Sequence, residues 1–149
     1  MSKHSVRSYE VLHRIARVKA SQAALALATA SRAERAASNK VDHATSLCAT
    51  ASSARARCIS DDGGLRLGEY SMLSDLHASL ETQREAAVDA WNEAKDEQRT
   101  RGLAAASTQR FADGVQENLE RRRQVVVLGN EGRLLAESLD LWMLHREES

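Results

Sequence analysis

The sequence contains no proline in 149 residues. Proline costs a helix interior about 3 kcal/mol, so its absence permits helices far longer than usual. Helix-breaking residues cluster in one place, the stretch Ser60 to Gly68 (SDDGGLRLG), which holds Asp61, Asp62, Gly63, Gly64 and Gly68. Glycine frees the backbone there and aspartate competes for its hydrogen bonds, so this is where the chain turns back. The expectation is an all-α fold, a long antiparallel two-helix coiled-coil hairpin with unequal arms. The first helix spans 5–59, the turn 60–68 and the second helix 69–147. Gly129 and Gly132 flank Asn130 and Glu131 and predict a kink or short break at 129–132.

Large core side chains are few. The aromatics are Tyr9, Tyr70, Trp91, Phe111 and Trp142, and much of the apolar content is alanine. Aromatic residues dominate the cores of compact domains. Their scarcity points to a thin helix–helix seam, with the Ala, Glu, Arg, Leu and Gln content of a coiled coil.

On the first arm Val11, Ile15, Val18 and Leu25 follow one heptad register. Val41, Ala44, Cys48, Ala51 and Cys58 follow another. Joining them requires a stutter between residues 26 and 40. On the second arm Leu73, Leu76, Leu80, Ala87, Ala90 and Ala94 form a stripe that resumes at Leu103, Phe111, Val115 and Leu119. The charged stretch from Glu93 to Arg101 between them reads as solvated helix. The C-terminal segment is the most apolar, with Leu134, Leu135, Leu139, Leu141, Trp142, Met143 and Leu144. The longer second arm overshoots the first there. Its apolar end either takes a partner from another chain or folds back on Tyr9, Val11 and Leu12.

Charge is divided between the arms. Residues 1–60 carry ten Lys/Arg against three acids, a net +7; residues 61–149 carry eleven against eighteen, a net −7. Opposite arms therefore attract, which selects pairing of one arm with the other. Nucleic-acid binding by the basic arm competes with that tethered acidic arm and is not expected. Arg121, Arg122 and Arg123 read either as an anion-binding patch or as partners of Glu117 and Glu120.

Cys48 and Cys58 stand ten residues apart on one helix, about 15 Å, too far for a bridge. They read as free thiols in a reducing compartment. The five histidines (His4, His13, His43, His77, His145) show no metal-binding spacing, and neither glycine cluster is a phosphate loop. Glu81, Glu85 and Asp89 lie at four-residue spacing, a solvated helix face with no cleft to shift their pKa values. No enzyme activity and no cofactor are expected. With no signal core and no apolar run of about 18 residues, a cytoplasmic protein without membrane insertion is expected.

The post-turn stretch GLRLGEYSMLSDLHASLETQREAAVDAW resembles the FliJ/YscO (HrpO) family, central-stalk proteins of bacterial type III secretion and flagellar export machines. The Gly-containing turn, then Tyr70, Met72, Leu73, Leu76, Leu80, Gln83, Arg84 and Trp91, occupy the family's places. The resemblance implies an antiparallel hairpin similar to the rotor subunit of rotary ATPases. It would act as a non-enzymatic stalk or adaptor, peripheral to the inner-membrane export apparatus of a flagellum or a virulence injectisome. Implied partners are the export ATPase hexamer, the cytoplasmic domain of the export-gate membrane protein and secretion chaperones. The gate contact would fall on Met72, Leu76, Ser79 and Gln83. The ATPase ring, or another protein, would meet Leu135, Leu139 and Trp142. The last segment, LLAESLDLWMLHREES, departs from the charged, Lys/Arg-rich end usual in the family. The alternative is a generic helical chaperone or adaptor that binds an amphipathic partner through that apolar end.

Overall fold

The computed structural model describes residues 3–59, 64 and 66–148, without the side chains of Lys3 and His4. Among them the chain is all-α, two long helices packed against each other as a hairpin with unequal arms. Helix α1 spans Lys3–Arg57 and α2 spans Leu67–Glu147. Most of the predicted turn, residues 60–63 and 65, lies outside the described residues.

Local chemistry explains why helices of 55 and 81 residues run unbroken. Thr29, Thr50, Thr82 and Thr108 each donate the side-chain hydroxyl to the carbonyl four residues back, at 3.0 to 3.2 Å, so a residue of modest helix propensity satisfies its hydroxyl within the helix. Pairs one turn apart line α2, including Arg84–Glu81, Arg101–Glu97 and Arg121–Glu117. Arg55 and Arg57 in the last turn of α1, and Glu69 in the first turn of α2, complement the helix dipoles. After α1, the Cys58 and Ile59 amides donate to the carbonyls three residues back, and the Arg66 amide donates to the Cys58 carbonyl at 3.2 Å.

The expected break at 129–132 is absent: α2 is helical throughout. Glycine costs only about 1 kcal/mol in a helix and, unlike proline, keeps its N–H.

The seam also differs from the expected one. On α1 the inward line is Tyr9, His13, Ala16, Ala20, Ala23, Leu27, Ala30, Glu34, Ala37, Val41, Ala44, Cys48, Ala51, Arg55 and Cys58, each buried or half-buried. The steps alternate four and three residues without interruption, so there is no stutter. Val11, Ile15, Val18 and Leu25, expected in the seam, are 48–69% exposed. On α2 the inward line runs Tyr70, Leu73, His77, Leu80, Arg84, Ala87, Trp91, Ala94 and Gln98, then Gly102, Ala105, Thr108, Ala112, Val115, Leu119, Arg122 and Val126. Leu76, Leu103 and Phe111 point outward instead. The small residues decide the register, because alanine lets two helix backbones approach closely.

Contacts group the chain into two compact units, Leu25–Leu103 and Met1–Ala24 with Ala104–Ser149. In the first unit polar ties reinforce the thin seam. Trp91 Nε1 donates to Glu34 Oε1 at 2.8 Å, Lys95 Nζ sits 3.9 Å above the Trp91 ring, and Gln98 Nε2 donates to Ser31 Oγ at 3.1 Å. The stretch expected to be solvated thus joins the seam through Lys95 and Gln98. Cys48 and Cys58 are buried free thiols of this unit. In the second unit Ala16, Ala20 and Ala112 form the buried cluster, flanked by Val115 and Leu119.

Candidate functional site: two exposed helix faces

The first face lies in the unit Leu25–Leu103. Because Leu73, His77 and Leu80 take the seam, Met72, Leu76, Ser79 and Gln83 are all exposed, in a line along the adjacent face of α2. Met72 is 67% and Leu76 48% exposed. Gln83 also borders an open groove of about 410 Å³ with Asn39, Lys40, His43, Ala44, Leu47 and Ala87. The combination is a thioether, an isobutyl group, a hydroxyl and a carboxamide on one stripe. It can take up an apolar side chain and fix it with neutral hydrogen bonds.

The second face is the end of α2. From residue 127 to residue 148 every residue is exposed. Leu135, Leu139 and Trp142 are 66%, 58% and 58% exposed, and Leu128, Leu134, Leu141, Met143 and Leu144 are similarly uncovered. The fold-back onto Tyr9, Val11 and Leu12 does not occur, since α2 stays helical to Glu147. The Arg146 guanidinium lies 5.3 Å from the Trp142 ring centroid.

The base of this free end is fastened by the arginine run. Arg122 donates to Ser5 Oγ at 2.8 Å and Tyr9 Oη at 3.1 Å, with its guanidinium 4.1 Å from the Tyr9 ring. Arg123 pairs with Glu10 at 3.0 Å and Arg121 with Glu117 on its own helix. The run is therefore engaged within the chain. Its pairings extend beyond the expected Glu117 and Glu120 to the first turns of α1, while Glu120 accepts from Gln116. The contact between the arms also reverses the expected sense: Glu10 belongs to the basic arm and Arg123 to the acidic one. Beside it an open groove of about 560 Å³ is lined by Val6, Arg7, Glu10, Arg123, Val126 and Val127.

Sequence reasoning missed two participants. Glu34, a lone acid in a line of alanines, is the acceptor for Trp91. Tyr9 is the anchor for Arg122. Stepping back from Cys58 in alternating threes and fours would have put both tie points, Glu34 and Tyr9, in the seam.

Among the described residues no group of three or more His, Cys, Asp or Glu could hold a metal ion. None of the helices is long and apolar enough, over those residues, to cross a membrane. No protein-family model, curated protein or solved structure matches the chain.

Proposed function

We propose that the chain is a non-enzymatic stalk or adaptor of a type III protein export apparatus, coupling the export ATPase ring to the export gate and escorting secretion chaperones. The observation that carries this reading is the free end of α2. Residues 127–147 form a helix covered with leucines and a tryptophan, yet none of it is buried in its own chain. An apolar helix of about six turns left uncovered is a protein-binding element. The post-turn motif from Gly64 to Trp91 directs the choice of partner. The reading assigns Leu135, Leu139 and Trp142 to the ATPase ring, and Met72, Leu76, Ser79 and Gln83 to the cytoplasmic domain of the gate protein. It places the protein in the cytoplasm, against the export apparatus.

Hydrogen exchange tests the assignment. Adding the cognate ATPase hexamer should slow exchange over 127–148, and adding the gate domain should slow it over 70–84. A folded chain that gains protection from neither partner overturns the proposal.

The same free end also favours the alternative, a general helical chaperone or adaptor. That reading expects loss of residues 133–149 to abolish partner binding while the hairpin remains folded. A truncated chain that binds unchanged rules it out.

A further inference from the structure

The free end of α2, in the unit of Met1–Ala24 with Ala104–Ser149, is graded in size along one face. Gly129, Gly132 and Ala136 occupy the first half of that face, and Leu139, Trp142 and Met143 the second. All six are exposed. At 3.6 residues per turn they fall within one arc of about 140°. A glycine inside a helix costs about 1 kcal/mol relative to alanine. A Cβ added at Gly129 or Gly132 would meet nothing within 4 Å, so neither glycine makes room for a neighbour in its own chain. Nor is this face a continuation of the seam. Past Val126 the inward line leads to Gly129, Arg133, Ala136 and Asp140. The line of Leu128, Gly132, Leu135 and Leu139 is one residue out of step with it, about 100° around the helix.

The gradient selects a second copy of the same helix, and its direction. A parallel copy would set indole against indole and leave a gap between glycines. An antiparallel copy sets small against large. We infer that two copies of the chain dimerise through their free ends, antiparallel about a two-fold axis near Glu137. Leu135 then faces the partner's Leu139, Gly132 the partner's Trp142 and Gly129 the partner's Met143, and the two-fold repeats each pair. The aliphatic stem of the partner's Arg146 covers Leu128, and Glu131 stands beside that arginine at the edge of the contact. Residues 127–148 carry five acids and two Lys/Arg, a net −3. Four of those acids, Glu137, Asp140, Glu147 and Glu148, lie off the shared face, so the like charges are not set against one another.

The same register matches the length of the free end. The partner's Glu147 comes level with Val127, and Val126 is the last residue of α2 that its own chain half-buries. The contact therefore runs for about six turns and stops where α1 begins to cover α2. Because it lies to one side of the seam, it leaves the fastening of Arg122 and Arg123 to Ser5, Tyr9 and Glu10 in place. The dimer covers Leu135, Leu139 and Trp142. It would therefore compete with any other partner of those residues, whether or not that partner is an export ATPase.

Sedimentation velocity over a concentration series tests this on the full chain. The wild type should dimerise. Gly132→Trp sets two indoles against each other and Trp142→Gly leaves two gaps, and each alone should weaken the dimer by about tenfold or more. An equimolar mixture of the two variants pairs every indole with a glycine and should recover the wild-type dimer. Both positions are exposed in the single chain, so circular dichroism should show the hairpin intact in each variant. Orientation is read by crosslinking. A chain with Gly129→Cys and a chain with Met143→Cys should be joined to each other by a short bis-maleimide, and neither to itself; the native Cys48 and Cys58 are buried. A wild-type chain that stays monomeric up to about 0.5 mM overturns the inference. So does a mixture that dimerises no more tightly than its components, or a dimer in which each cysteine variant crosslinks only to itself, because that is parallel pairing.

Discussion

The indole of Trp91 reaches across the seam and donates a 2.8 Å hydrogen bond to Glu34, a carboxylate set between Leu27, Ala30, Ala37 and Val41 in the inward line of α1. The Lys95 ammonium stands over the ring, 3.9 Å from its centroid. A seam of alanines buries little apolar area per turn, so one half-buried, charge-assisted bond is a large share of the local stability. Glu34→Ala should destabilise the hairpin by about 1–2 kcal/mol. Trp91→Phe should cost less than that, because Glu34 can turn to water. A double-mutant cycle in urea checks whether the two act together: the double variant should be less destabilised than the two single losses summed.

Alanine positions and valine positions should respond in opposite ways. Ala16 is 1% exposed and packs with Ala20 and Ala112. Ala16→Leu forces the helices apart and should cost about 1–3 kcal/mol. Val11→Ala and Val18→Ala remove more apolar surface but lie on the outer face, and should change stability by no more than about 0.5 kcal/mol. Thermal melts of the three variants, at a concentration where the chain is monomeric, separate the observed register from the one based on the larger residues. The reverse ranking would refute the observed register.

His13 occupies the seam with its Nε2 buried and unbonded among the described residues. Leucine has a similar volume and removes the uncompensated polar atom. His13→Leu should stabilise the hairpin by about 1 kcal/mol, seen as a higher urea midpoint at unchanged m.

Arg122 fastens the first turns of α1 through Ser5, Tyr9 and the Tyr9 ring. Lysine retains the charge but has no planar fork to serve two hydroxyls and stack on a ring. Both Arg122→Lys and Arg122→Ala should speed amide exchange over residues 5–12, the alanine variant more, while exchange near Ala51 stays as it was.

Gly129 and Gly132 are ordinary helical positions, since a Cβ added at either meets nothing within 4 Å. Replacing each with alanine should favour the helix by up to about 1 kcal/mol per site. The gain should appear as slower exchange over 125–138, with little change in the melting of the hairpin.

Much of the architecture was legible because its causes are local. The missing prolines, the Asp61–Gly64 cluster and the alanine content dictate two long helices and where they meet. The registers of Val41–Cys58 and of Val115–Leu119 were legible for the same reason. The register of the first half of α1 was not. A heptad reading gives weight to large apolar residues and so chose Val11, Ile15 and Val18. The fold gives weight to close backbone approach and chose Ala16 and Ala20. Charge sorting by arm misled in a similar way. It describes long-range attraction, whereas the direct pairs depend on single side chains, as Arg123 with Glu10 shows. The outward position of Met72, Leu76, Ser79 and Gln83 follows only once the α2 register is known. Leu135, Leu139 and Trp142 stood out in sequence because they lie where the first arm has ended.

Turnover of the cognate export ATPase, titrated with the purified chain, tests the functional proposal most directly. We expect stimulation that depends on the assembled hexamer and saturates near one chain per ring. It should be lost when Leu135, Leu139 and Trp142 are replaced by glutamate in a variant of unchanged helicity. A folded chain that leaves turnover of the hexamer unchanged would contradict the assignment as an export stalk.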